Sequence, residues 1–261
     1  MTYYKFLPIE RISYLEDELL RFTQPNDLND PFECFPQEIN ETKLYASITK
    51  LLISNNSRIK KNEIDEIFNK IKNNVLENFI EKAYEKTNQQ TGILSLTKEW
   101  NNTLMWSHYT NSHKGFCVGF NSGDHFFTDI NMRDKEYAKH TKEVVYSDKR
   151  AEINVDIPYA PPSLDIYFTK SIDWKYENEV RSIQTFNMAD KIIESSVGIN
   201  NIYLFKVPHK IITEIVVGAK IDIESSQLIY QFCCNHKIDL YKSKISNLKF
   251  DMEREILLQF E

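Results

Sequence analysis

Glycine and proline are scarce in this chain, at 6 and 8 of 261 residues. That scarcity excludes collagen-like and loop-repeat architectures and argues against a disordered chain. The few glycines never fall into a Gly-x-Gly-x-x-Gly or Walker spacing, so no glycine-rich phosphate loop is present. No Gly-x-Ser-x-Gly elbow and no His-Glu-x-x-His pair occurs either. The 4 cysteines form no Cys-x-x-Cys and show no metal-ligand spacing. They read as small buried hydrophobes in a reduced compartment. No apolar run reaches the 18 residues or so that a membrane span needs. The N-terminus lacks the basic-then-apolar pattern of a secretory signal. A cytoplasmic protein with no membrane partner is expected. Basic excess is missing too: 32 basic against 38 acidic residues give a net charge of −6. Non-specific binding to nucleic acid or to a membrane surface finds no support in that balance.

What the chain does have is aromatic mass. Hydrophobic residues make up 41%, and 14 Tyr with 16 Phe point to a β-rich globular core with wide aromatic walls. Length and pattern predict one α+β domain over 1–261. Its sheet is twisted, mainly antiparallel and split, with flanking helices and a helical insertion at about 38–90. Strands are expected at 3–7, 19–23, 92–97, 115–120, 143–146, 180–186, 202–207, 211–217, 238–242 and 249–258. Residues 10–20 and 163–170 carry helical spacing, the latter capped by Ser163. A tail helix begins at its cap Asp222. In 38–90, apolar residues such as Leu44, Ile48, Leu51, Ile64, Phe68, Val75 and Phe79 recur at helical intervals, as in an inserted hairpin.

Three stretches carry candidate chemistry. Trp174-Lys-Tyr-Glu-Asn-Glu-Val-Arg181 places Glu177, Glu179 and Arg181 two residues apart, hence on one face if the stretch is a strand. Two carboxylates and a cation together are the ingredients of a tuned acid site; an exposed edge strand with a Glu–Arg pair is the plain alternative. Met105-Trp-Ser-His-Tyr109, with Thr103 as its expected cap, sets Trp106 and Tyr109 on one helical face beside His108. That arrangement is either a core stripe or a wall for a flat ring ligand. The turn-rich Leu28-Asn-Asp-Pro-Phe-Glu33 holds Asp30 and Glu33 in a rigid loop.

Those three stretches, with Tyr4-Lys-Phe6, Lys114-Gly-Phe-Cys-Val-Gly-Phe120 and Lys170, resemble a bacterial family described only as a domain of unknown function. More distantly, the order of a first strand, a strand bearing Ser95 and Thr97, a helix bearing Tyr109 and a late Glu-x-Glu strand resembles the ADP-ribosyltransferase fold. That resemblance implies an enzyme using NAD as substrate, in a toxin or phage-defence setting, with a protein or nucleic acid as acceptor. It implies Glu179 as the catalytic glutamate, Glu177 as its accessory and Tyr109 against nicotinamide. Ser95 and Thr97 would line the pocket. The first strand lacks the family's His or Arg, so Lys5, Tyr4 or the later Arg21 would stand in for it. Two other readings use the same residues. One is a metal-dependent nuclease built on Asp30, Glu33, Glu177 and Glu179. The other is a non-catalytic module that takes a nucleotide or peptide in the aromatic cleft.

Overall fold

The computed structural model describes residues 1–35, 37, 40–74, 76–129, 140–152, 164–195 and 200–260. In chain order the elements begin with β1 (Thr2–Leu7), α1 (Tyr14–Asp17) and β2 (Leu19–Phe22). Three helices follow, α2 (Glu41–Asn55), α3 (Lys61–Asn74) and α4 (Leu76–Gln90). Next come β3 (Thr91–Thr97), α5 (Thr103–Tyr109), β4 (Phe116–Asn121), α6 (His125–Thr128), β5 (His140–Glu143) and β6 (Val145–Ser147). After these are α7 (Asp165–Phe168), β7 (Thr169–Ser171), β8 (Glu179–Thr185) and β9 (Lys191–Ile193). The chain closes with β10 (Ile202–Lys206), β11 (Ile212–Val217), α8 (Ile223–His236), β12 (Asp239–Ile245) and β13 (Met252–Leu258). They gather into two compact units: residues 1–24, 91–144 and 173–261 form the first, and residues 25–90 and 145–172 the second.

The first unit is built on an eight-stranded sheet in the order β13-β12-β11-β4-β1-β3-β8-β5, and β2-β10-β9 form a separate sheet. Every neighbouring pair of the large sheet is antiparallel except β11 with β12. The α+β class and the mainly antiparallel sheet expected from the sequence are therefore present. The sheet is nearly parted at one seam. β1 pairs with β4 over six residues and β3 with β8 over seven, whereas β1 meets β3 at the single pair Tyr4–Thr97.

Period-two alternation sends residues to two cores. Leu94, Leu96, Val118, Phe120, Val180 and Ile215 enter the larger one. Tyr4, Phe6, Cys117 and Val216 join Trp106, Met105 and Met252 in the smaller. Gly92 and Gly119 are required by close packing: a Cβ at Gly92 would stand 2.6 Å from the Phe186 ring, and one at Gly119 2.9 Å from Glu214 Cγ. Cys34, Cys117 and Cys233 are buried as expected, while Cys234 is exposed.

Several expected boundaries shift for local reasons. The helix anticipated at 10–20 is a 3-10 turn followed by the four-residue α1. Glu18 takes a left-handed φ of 59° and turns the chain into β2. The cap of α5 is Asn102, whose side chain accepts from the Leu104 and Met105 amides, so Thr103 is its first helical residue. Asp222 does cap α8, accepting from Ser225 N at 2.8 Å. The strand expected at 143–146 is two strands, β5 ending at Glu143 and β6 starting at Val145.

In the second unit the segment expected to be a hairpin is three helices, with Asn40 capping α2. Tyr45 of α2 sets its ring edge-on to Phe68 of α3 and donates its hydroxyl to Asp65 at 2.6 Å. Leu51 is exposed. Val75, the side chain of Phe79 and the cap expected at Ser163 lie outside the described residues. The helix expected at 163–170 is, over its described residues 164–170, the short α7 and then the start of β7, which runs parallel to β6.

Candidate functional site

The Glu-x-Glu stretch does not form one continuous strand. Residues Ile172–Glu177 make a 3-10 turn, Asn178 takes a left-handed φ of 43°, and β8 starts at Glu179. Asparagine adopts that conformation more readily than other non-glycine residues. The break removes Glu177 from the alternation, so the expectation that Glu177, Glu179 and Arg181 share a strand face holds for the last two alone.

Those two are locked together. Arg181 donates Nε to Glu179 Oε1 at 2.8 Å and Nη2 to Oε2 at 3.1 Å. Arg181 is 0% exposed and Glu179 4%. A bidentate pair in this fork geometry fixes both position and charge of the carboxylate. The exposed-edge alternative is thereby overturned, since β5 covers β8 on the side away from β3.

Glu177, 3% exposed, accepts the Tyr109 hydroxyl at 2.5 Å on Oε1. Tyr109 comes from the last turn of α5, and α5 is tied to the 3-10 turn because Asn102 Nδ2 donates to the Tyr176 carbonyl at 2.5 Å. Lys5 arrives from β1, one residue beyond the Tyr4–Thr97 pair. Its ammonium donates to the Ser95 carbonyl at 2.9 Å. Desolvation pushes the Lys5 pKa down to about 8, and the charges of Glu179 and Glu177 pull it back up. Lys5 beside the seam thus feels two carboxylates, each held by its own partner: Glu179 by Arg181 and Glu177 by Tyr109.

The other anticipated residues fall elsewhere. Tyr4 belongs to a different polar network: its hydroxyl donates to Glu214 at 2.8 Å, and Arg254 donates to the same carboxylate oxygen at 2.6 Å. Trp106 is 0% exposed, with its indole N–H on the Trp100 carbonyl, so it is a core ring rather than a ligand wall. His108 is exposed. Thr97 is buried, and its hydroxyl accepts from Glu99 N at 3.2 Å. Arg21 on β2 donates to Gln24 at 3.3 Å. Asp30 and Glu33 lie in the second unit, where Glu33 pairs with Lys170 at 3.2 Å and both side chains are almost fully buried. Sequence spacing had no means of joining Glu33 to Lys170. Among the described residues no three of His, Cys, Asp and Glu gather closely enough to hold a metal ion, so nothing in the geometry favours the nuclease reading.

The stretch that begins on α5 and ends on β8 is also the one with a known likeness. A family model described as "Protein of unknown function (DUF2971)" matches residues 105–182. The DUF2971 match spans Tyr109, Glu177, Glu179 and Arg181, while Lys5, Asp30 and Glu33 lie outside it. No curated protein and no solved structure matches the chain. Among the described residues no helix is long and apolar enough to cross a membrane.

Proposed function

We propose that the chain is an ADP-ribosyltransferase-like enzyme that takes NAD as substrate, working in the cytoplasm as a toxin or phage-defence effector. The observation that carries this reading is that the Lys5 cation, on the strand beside the parted seam, feels both Glu179 and the Tyr109-bound Glu177. Lys5 takes the place of the first-strand His or Arg of that fold, and it neighbours the strand bearing Ser95. Tyr4, the other candidate for that place, is committed to Glu214.

In this reading the bond between the ribose C1′ and the nicotinamide nitrogen breaks, and its electron pair leaves with neutral nicotinamide. Positive charge develops on the ribose and is stabilised by Glu179. Arg181 holds both Glu179 oxygens in place, so little reorganisation is needed as the charge appears. The acceptor, a protein or nucleic-acid group, forms the new bond at C1′ with its lone pair and gives its proton to Glu177. Tyr109 aligns Glu177 for that transfer and offers a ring edge to nicotinamide.

Nicotinamide release from NAD, followed by chromatography with protein and nucleic-acid acceptors, tests the reading. Glu179→Gln should lower turnover by about 10²–10³-fold, the scale of removing one transition-state contact, with its unfolding curve recorded in parallel. Equal nicotinamide release by a folded Glu179→Gln variant would refute the assignment.

A further inference from the structure

Glu177 is held through the residues on either side of it. Before it, the Tyr176 carbonyl accepts from Asn102 Nδ2 at 2.5 Å. After it, the Asn178 carbonyl accepts the Lys98 amide at 3.3 Å, and Asn178 Nδ2 donates to Glu99 Oε1 at 3.1 Å. The Asn178 amide donates to the Lys175 carbonyl at 3.2 Å and closes the 3-10 turn. Glu99 is itself set by its amide, which donates to the Thr97 hydroxyl at 3.2 Å at the end of β3. Residues 98, 99 and 102, all just past β3, thus grip the chain on both sides of Glu177.

Asn178 has a φ of 43°, a left-handed conformation that glycine adopts freely and asparagine at some cost. Such a conformation persists only where its surroundings fix it. What asparagine adds over glycine is a side-chain amide, and here that amide goes to Glu99. Glu99 is exposed, so the bond contributes nothing to core packing. Its carboxylate acceptor makes the bond stronger than one between neutral groups. The turn fixed in this way is the one that takes Glu177 out of the alternation of β8.

We propose that Glu99 and Asn178 are positioning residues for Glu177: their side-chain bond holds the left-handed turn, so that Glu177 stays on Tyr109 while Glu179 turns to Arg181. For its kinetic consequence, though not for its geometry, the proposal rests on the transferase reading above.

Nuclear magnetic resonance titration of the Lys5 ammonium in the full chain, assigned through Lys5→Arg, tests the geometry without any turnover. Lys5 titrates at about 8, and the charges of Glu179 and Glu177 raise it against desolvation; Arg11 and Cys117, which also act on it, are the same in every variant. Glu99→Ala lets Glu177 move, so the Lys5 midpoint should fall by about half a unit, a fraction of the roughly 1–3 units that an opposite charge within reach supplies. Glu99→Gln keeps an acceptor oxygen without the charge and should leave the midpoint in place. Asn178→Gly keeps the turn but lacks the amide and should match Glu99→Ala, and the double variant should shift no further than either single one. In nicotinamide release, Glu99→Ala should lower kcat about tenfold with KM for NAD unchanged, the lower end for a hydrogen bond to a charged group, and Glu99→Gln should restore it to within about twofold. Midpoints that move as stated, with no nicotinamide released by any of the proteins, keep the positioning role and remove the transferase reading. An unmoved midpoint in Glu99→Ala, an equal fall in Glu99→Gln, or additive shifts in the double variant would each overturn the proposal, whatever the turnover.

Discussion

Replacing Arg181 by methionine tests whether the charges at the seam form one unit. Arg181 is fully buried and donates two bonds to Glu179, itself 4% exposed. Removing the guanidinium strands a carboxylate out of water, and breaking a buried pair from one side costs roughly 3–5 kcal/mol. At about 2–4 °C per kcal/mol for a chain of this size, the melting temperature should fall by about 6–20 °C. Lys5 keeps the loss towards the lower end, because its ammonium acts electrostatically on Glu179 and takes up part of the unbalanced charge. Glu179→Gln removes the stranded charge. The double variant Glu179→Gln/Arg181→Met should therefore lose less than the sum of the two single variants, by about 0.5–3 kcal/mol, the range of coupling between residues in contact. Urea unfolding followed by tryptophan fluorescence, with the four proteins compared at one pH, reads the cycle. If the two substitutions simply add, the carboxylate does not depend on Arg181 and the account of a locked Glu179 is wrong.

Four further predictions concern the same region. Lys5 titrates at about 8 in the folded protein against 10.5 for an ordinary lysine, so between those values the unfolded chain holds the extra proton and stability rises with pH. From pH 8 to about 9.5 the gain should be about 2 kcal/mol at 1.36 kcal/mol per unit, and Lys5→Met should abolish it. Above that range Tyr4 and Tyr14, whose hydroxyls burial pushes up, act in the opposite direction. If the Lys5 cation serves the reaction, nicotinamide release should decline above about pH 8, and Lys5→Arg should move that decline upward. Tyr109→Phe should lower stability by about 1.5–3 kcal/mol in urea titration, since it removes a donor from the buried Glu177 carboxylate. Asn102→Ala should cost about 1.5–3 kcal/mol, from a lost helix cap and a lost bond to the Tyr176 carbonyl, while Thr103→Ala stays within about 0.5 kcal/mol. Equal effects of the two last substitutions would return the cap to Thr103.

Much of the fold was legible because alternation and turn chemistry are local. The runs around Leu94, Val118, Val180 and Ile215 read as strands in the sequence and are β3, β4, β8 and β11. What failed were single residues that turn the backbone. Glu18 and Asn178 both adopt positive φ, and each cuts an apparently continuous pattern in two. Asn178 carried a cue, since asparagine tolerates that conformation, but Glu18 carried none. The partner of Glu33 was illegible for a different reason: Lys170 lies on β7, far along the chain, and their ion pair is a contact that no local spacing encodes.

Lys5 shows how far pattern reading reaches at the proposed site. Between Tyr4 and Phe6, both buried in the smaller core, a lysine in a strand reads as the solvent-facing residue of an alternating pair. That inference assumes the neighbouring strand continues alongside. Here the β1–β3 ladder consists of the Tyr4–Thr97 pair, and the ammonium reaches the Ser95 carbonyl on the neighbouring strand. Once there, it loses solvation and feels Glu179 and Glu177, which is the physical content of its lowered pKa. A cation placed by a gap in a sheet depends on the register of two strands that lie far apart in the chain. Such a residue becomes visible only when the pairing is known, whereas the carboxylates it faces are visible from their spacing.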